Sequence, residues 1–302
     1  AVAVAVDART RRVRAGHIGA SEVVDVIEPE KRSRAMGLLG MPMGIAFSLG
    51  IVLGPIVASW WSVRALFILC AILVAWAFLY IQSSLEEPRK VPAHTELSIM
   101  PGQIWELLHN RRLISVNLGG FITNFFQVGI FVILPLLTVK YRNMSDFWEL
   151  IVPMVVIGTL IMLWGARQAD AGKSKQMTQL AFSFLGLSAL VFLVPAYGML
   201  PYPEWNFRVL ILSGVLFFAG FSMTQPLLSA GVTKLANENR VGATSGLYNM
   251  SQNMGTFFGG LLGGTFMSNH ANIFLLIMCL LGVWGANTVG RSMNQGGDNK
   301  CK

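Results

Sequence analysis

Blocks of about twenty apolar residues recur along most of this chain, and each is long enough to cross a hydrocarbon core about 30 Å thick. Only 13% of the 302 residues are charged, whereas a soluble domain carries about 25%. The predicted spans are residues 36–60, 63–82, 113–139, 147–166, 177–199, 207–230, 242–267 and 273–290. We therefore predict an all-α polytopic membrane protein, because a β-barrel would show alternating segments of about ten residues.

The distribution of basic residues predicts an orientation. With the chain before residue 36 in the cytoplasm, fifteen of the Lys and Arg side chains from residue 31 onward fall inside and four outside, the bias expected of cytoplasmic loops. The inside set is Lys31, Arg32, Arg34, Arg89, Lys90, Arg111, Arg112, Arg167, Lys173, Lys175, Lys234, Arg240, Arg291, Lys300 and Lys302; the outside set is Arg64, Lys140, Arg142 and Arg208. We expect a cytoplasmic C-terminus and a location in the cell (inner or plasma) membrane.

The same distribution excludes other classes of protein. The net charge of +8 lies in short loops between apolar blocks, so it does not indicate nucleic-acid binding. All four histidines fall outside the spans, no H-E-x-x-H sequence is present, and the three cysteines lack metal-ligand spacing. We expect no enzyme activity, no metal and no cofactor.

Glycines are concentrated in two of the spans. Gly50 and Gly54 are followed directly by Pro55, and a shift of 209 residues places them on Gly259 and Gly263. Small residues at i, i+4 spacing let membrane helices approach closely, and proline permits a bend. The matching spacing is typical of two parallel structural repeats in a secondary transporter.

Three stretches carry a family resemblance. "GIVLGPIVAS" (50–59) resembles the G-x-x-x-G-P-x-x-G-G motif of the fifth helix in drug:proton antiporters of the major facilitator superfamily. "GARQADAGKSK" (165–175) resembles a degenerate copy of their loop motif G-x-x-x-D-R-x-G-R-R, with Asp170 displaced by one position and Lys173 at a basic position. "NRVGATSGLYNMSQNMGTFFGGLLGG" (239–264) resembles their eleventh helix.

The resemblance implies a domain organisation. The eight spans correspond to spans five to twelve of a twelve-span bundle. Residues 25–82 would be the last two helices of the N-terminal half, 83–112 a cytoplasmic linker, 113–292 the six-helix C-terminal half, and 293–302 a cytoplasmic tail. We interpret residues 1–24, with four arginines in six positions, as a basic segment outside the membrane, and expect an N-terminally truncated copy, with an aberrant origin for that segment left open.

Neutral polar residues inside the spans are the candidates for substrate contact, since polar groups at this depth are costly. By resemblance they lie in the seventh, tenth and eleventh helices, which line or border the central cavity. They are Asn117, Asn124, Gln127, Gln225, Asn249, Gln252 and Asn253. The alternative interpretation is that these residues form hydrogen bonds that only hold the helices together.

Two further residues are assigned by resemblance to the cytoplasmic loop that enters the fifth helix. Asp25 matches an aspartate at the inner end of the family's fourth helix, which is expected to pair with an arginine of the loop between the second and third helices; a simple solvated cap is the alternative interpretation. Arg32 follows in the same loop.

The resemblance implies a secondary active transporter that exports small amphipathic compounds by alternating access, coupled to protons. The expected partners are the lipid bilayer, a small-molecule substrate and protons, and we expect a monomer. The middle of each span lacks Asp, Glu, His and Lys, so the proton-carrying group is expected elsewhere. A membrane protein without transport activity, acting as an interaction partner or as a non-functional remnant, is the alternative interpretation.

Overall fold

The computed structural model describes residues 61–84, 109–143, 146–236, 241–266 and 271–292, together with positions 46, 50, 53, 54, 57 and 107. These residues form seven long helices: α1 (Val63–Ser84), α2 (Arg111–Tyr141), α3 (Phe147–Gln168), α4 (Ser174–Tyr197), α5 (Pro203–Leu235), α6 (Val241–Phe266) and α7 (Ala271–Ser292). The predicted all-α fold is confirmed. Each helix matches a predicted span to within a few residues at its ends, and the predicted span 36–60 lies mostly outside the described residues.

Five stretches of the described chain are long and apolar enough to cross a membrane, one of them joining α3 and α4. Helix α6 is not among them, because its sequence "VGATSGLYNMSQNMGTFFGGLLGGTF" combines polar side chains with weakly hydrophobic glycines. A membrane helix of this composition is expected where its polar side chains face other helices or an aqueous cavity.

The chain divides into two compact units, of which one contains α1 and the other contains α2 to α7. In the second unit α2 packs against α5, α6 and α7, while α4 packs against α5 and α7, and α3 packs mainly against α5. The fully buried side chains at these contacts include Phe126, Phe182, Phe192, Phe217, Phe218 and Phe274. Because lipid is as apolar as these rings, close packing rather than water exclusion stabilises the bundle.

The end of α2 is fixed to the α4–α5 connection. The Lys140 ammonium donates to the Ala196 carbonyl at 2.7 Å, and the Tyr141 hydroxyl donates to the Pro195 carbonyl. Arg142 forms an ion pair with Glu204 at 2.7 Å. These contacts place the ends of α2 and α4 and the beginning of α5 at one end of the six-helix unit, which we call the α4–α5 end.

The opposite end, which we call the basic end, contains the turn between α3 and α4. Residues Ala169–Lys173 form a wide helical turn in which Gly172 has φ +87°, a left-handed conformation that costs other residues about 1–2 kcal/mol. Lys173 donates to the Gln168 side chain at 3.2 Å, and Asp170 is exposed. The glycine reverses the chain so that α4 returns antiparallel to α3.

Candidate functional site

Helices α2 and α6 approach each other along the glycines of α6. A Cβ atom at Gly259 would lie 2.5 Å from the Phe125 carbonyl oxygen, and one at Gly255 would overlap the Phe121 carbonyl oxygen. A Cβ at Gly263 would lie 3.4 Å from the Gly129 Cα, an ordinary contact. This spacing allows the backbone of α6 to touch that of α2 over two helical turns.

The predicted glycines nearer the N-terminus are less fully described. Gly50 and Gly54 are helical, and within the described part of the chain no atom lies within 4 Å of a Cβ placed at either position. Pro55, Asp25 and Arg32 lie outside the described residues. The packing role of this motif therefore stays a prediction.

A polar ladder joins α5 and α6 beside this contact. The Gln252 Nε2 atom donates to the Gln225 Oε1 atom at 3.4 Å and to the Tyr248 hydroxyl at 3.2 Å, and the Tyr248 hydroxyl also shares a hydrogen bond with Ser229. The side chains come in two pairs at i, i+4 spacing, Gln225 with Ser229 on α5 and Tyr248 with Gln252 on α6. Because such pairs share a helix face, the four groups form one connected strip.

Helix α2 leaves room for this ladder at Gly120. A Cβ there would lie 2.5 Å from a ring carbon of Tyr248 and 3.2 Å from the Gln252 Cγ. The glycine therefore lets both side chains lie against the backbone of α2.

The amides on α2 have different surroundings. Asn117 is buried, and its Oδ1 has no hydrogen-bond partner among the described residues, although its backbone carbonyl accepts from the Ser251 hydroxyl at 2.8 Å. Asn124 is also buried and donates to the Gly120 carbonyl of its own helix at 3.0 Å. Gln127 is half-buried. Asn117 thus presents an unsatisfied acceptor next to the α2–α6 contact.

The polar residues of α6 separate onto two faces. Gln252 points to α5 through the ladder, whereas Asn249 and Asn253 are exposed. These two asparagines line an open groove of about 680 Å³ together with Gly246, Met250, Met254, Phe257 and Phe258. The groove combines hydrogen-bonding amides with adaptable thioethers and aromatic rings, and none of these lining residues is charged.

Charged side chains lie away from the middle of the described helices. The four described carboxylates, Asp146, Glu149, Asp170 and Glu204, lie at or near helix ends. Among the described residues no group of His, Cys, Asp or Glu could hold a metal ion. The polar side chains in the middle of these helices are therefore neutral hydrogen-bonding groups.

Sequence reasoning missed several residues of this region, namely Gly120, Ser229, Tyr248 and Ser251. The i, i+4 spacing of Ser229 and Tyr248 from the predicted glutamines was the available signal. Gly120 carried no signal of its own, since its role depends on which side chains of α6 face it.

The apolar helices of membrane length and the uncharged polar groups between them define a polytopic helical membrane protein. The family model of the Major Facilitator Superfamily matches residues 18–260, and the chain belongs to this superfamily. Membership points to a membrane transporter rather than an enzyme.

Relatives of known sequence are also transporters by name. The chain is 28% identical over 83% of its length to an uncharacterized transporter of Buchnera aphidicola subsp. Baizongia pistaciae, covering 62% of that protein. It is 26% identical over 86% of its length to the inner membrane transport protein YajR of Escherichia coli, covering 56% of it. A second Buchnera transporter, BU466 from the subspecies Acyrthosiphon pisum, is 21% identical over 78% of the chain and 59% of its own length. The chain thus spans less than two thirds of each of these relatives.

Proposed function

We propose that this chain is a secondary active transporter that exports small amphipathic compounds by alternating access, with α2 to α7 as its C-terminal half. The observation that carries the proposal is the α6 groove, where Asn249 and Asn253 stand among methionine and phenylalanine side chains. Neutral amides recognise hydrogen-bonding groups, and the flexible thioethers adapt to apolar surfaces of different shape. A substrate with an apolar body and a few neutral polar groups fits this lining.

The polar ladder is the second region that we propose contacts the substrate. Gln225 and Gln252 are half-buried, and the buried Asn117 Oδ1 is an unsatisfied acceptor. An unpaired buried acceptor costs about 1–3 kcal/mol, so a donor from a substrate or a water molecule would be stabilised there. We assign Asn117, Gln225 and Gln252 to substrate contact, and Asn124, which bonds its own helix, to holding the bundle.

Proton coupling is part of the proposal. Because the described carboxylates lie at or near helix ends, the proton-carrying acid is to be sought outside the described helices. The groove and the ladder would bind substrate without changing charge themselves.

An efflux assay in whole cells tests this function. The chain is expressed in cells lacking their own exporters, and the efflux of a panel of neutral and singly charged amphipathic dyes is followed with and without an uncoupler. We expect efflux that the uncoupler abolishes and that falls about fivefold for each of Asn249→Ala and Asn253→Ala, the loss of about one hydrogen bond each. Thr256→Ala is the matched control, an exposed polar residue of α6 outside the groove lining.

The results of this assay distinguish transport through the α6 groove from the other interpretations. Efflux that the asparagine variants and the control lower equally would contradict the assignment of the groove. Absence of efflux for the whole panel, with the protein present in the membrane, would favour the interpretation as a membrane protein without transport activity.

A further inference from the structure

A second groove lies between α4 and α7. It has a volume of about 470 Å³ and is lined by Gln179, Ser183, Gly186, Leu187, Leu190, Cys279, Val283, Ala286 and Asn287. The two helices cross at Gly186 and Gly282, where a Cβ on Gly282 would lie 2.5 Å from the Gly186 Cα. We call this feature the α4–α7 groove; its crossing brings the two backbones together and leaves a cleft beside them.

The lining of the α4–α7 groove changes in polarity along its length. Leu187, Leu190 and Val283 are exposed apolar side chains in its central part. Ser183, Gln179 and Asn287 follow toward the basic end. Gln179 is five residues from the beginning of α4, about 7.5 Å along the axis, which places these groups where a membrane changes from hydrocarbon to polar headgroups.

Two basic side chains lie beyond these polar groups, toward the basic end. Lys175 lies one turn before Gln179 on α4, and Arg291 lies one turn after Asn287 on α7, so each falls on the face of its helix that lines the groove. Arg291 is exposed and Lys175 half-buried, and within the described part of the chain neither side chain is assigned a hydrogen bond or an ion pair. Near the same end, Gly290 leaves room for Gln179, since a Cβ there would overlap the Gln179 side chain.

We propose that the α4–α7 groove binds one anionic phospholipid. Its acyl chain lies along Leu187, Leu190 and Val283, and its ester carbonyls accept hydrogen bonds from Ser183 and Gln179, while the Asn287 amide donates to the Val283 carbonyl of its own helix at 3.1 Å. Its phosphate lies between Lys175 and Arg291. The order of apolar, neutral hydrogen-bonding and cationic groups along the groove is the order of acyl chain, ester and phosphate in such a lipid, and basic pockets between membrane helices are known to bind anionic headgroups.

Native mass spectrometry of the purified chain tests the proposal. The chain is titrated in detergent with palmitoyl-oleoyl phosphatidylglycerol and, separately, with the phosphatidylcholine of the same chains. We expect tighter binding of phosphatidylglycerol, and a loss of up to about 25-fold in its affinity for the double variant Lys175→Gln/Arg291→Gln, about fivefold for each cation. The matched control is Arg111→Gln/Arg167→Gln, which removes the same charge from the same end of the bundle away from the groove.

A second measurement locates the lipid in the unaltered chain and does not depend on the variants folding. Phosphatidylglycerol with a photoreactive diazirine in its acyl chain is added in mixed vesicles, and the labelled peptides are identified. We expect labelling concentrated on α4 and α7 around Leu187, Leu190 and Val283. Equal affinity for the two lipids, an equal loss in the control double variant, or labelling spread evenly over α1, α3 and α5 would overturn the proposal.

Discussion

Gly255 and Gly259 show how single residues decide the packing of a membrane helix. Beyond the hydrogen atom at these positions lie carbonyl oxygens of α2, which are part of a hydrogen-bonded helix and cannot move aside as a side chain tip can. A methyl group must therefore push the two helices apart. The separation would extend to the polar ladder, because Tyr248 and Gln252 rest on Gly120 of the same helix.

Gly255→Ala is expected to destabilise the protein by about 1–3 kcal/mol, the usual cost of overpacking. The measurement is the midpoint of unfolding in mixed detergent and sodium dodecyl sulfate micelles. Gly264→Ala is the control, since a Cβ at that position would meet nothing within 4 Å among the described residues, and we expect it to be neutral or stabilising by up to about 1 kcal/mol. Equal destabilisation by the two substitutions would contradict the close contact of α2 and α6.

The polar residues show the limit of sequence reasoning at this scale. The sequence places four of these residues directly in the middle of apolar spans: Gln225, Asn249, Gln252 and Asn253. Their directions were not predictable, because i, i+3, i+4 spacing orders side chains around a helix without saying which neighbour each one faces. The structure turns Gln252 toward α5 and Asn253 toward the groove, a difference that depends on how α6 is rotated against α2.

At the scale of elements, the helices themselves were the most predictable feature. Apolar blocks of membrane length gave α1 to α7 to within a few residues, because a bilayer of fixed thickness sets the length of each span. The pairing of helices was not predictable in the same way. Lipid is as apolar as the side chains on the helix surfaces, so burying those side chains does not favour one partner helix over another. Close local contacts such as the Gly186–Gly282 crossing determine which helices pair.

The turn between α3 and α4 depends on the backbone of Gly172, whose φ is +87°. Gly172→Ala is expected to cost about 1–2 kcal/mol, because a left-handed conformation is unfavourable for alanine. A Cβ here would contact nothing within 4 Å in the described structure, so conformational strain is the whole effect. Thermal unfolding in detergent measures it, and Gly172→Asn should lose less, since asparagine tolerates this conformation; an equal loss would contradict the assignment.

For the whole molecule, the two ends of the six-helix unit differ in charge. Among the described side chains the basic end carries Arg111, Arg112, Arg167, Lys173, Lys175 and Arg291 with one carboxylate, Asp170. The α4–α5 end carries Lys140, Arg142 and Arg208 together with Asp146, Glu149 and Glu204. Cytoplasmic loops are the ones enriched in Lys and Arg, so we propose that the basic end faces the cytoplasm.

Reporter fusions check this orientation. Green fluorescent protein joined after residue 302 is expected to fluoresce, since it folds in the cytoplasm, and alkaline phosphatase inserted between residues 198 and 203 is expected to be active outside it. The two fusions exchanged between these sites serve as the control. An active phosphatase at the C-terminus would contradict the proposed orientation.

In the proposed transporter, the α6 face bearing Asn249 and Asn253 lines the path of the substrate. The most direct measurement is the reaction of Asn253→Cys with a membrane-impermeant maleimide, in a background where Cys70, Cys279 and Cys301 are replaced by alanine. We expect this cysteine to react and an exported dye to slow its reaction, whereas Leu280→Cys, at an exposed apolar position of α7, should not react. An unreactive cysteine at position 253, or a reaction whose rate the dye leaves unchanged, would contradict the claim.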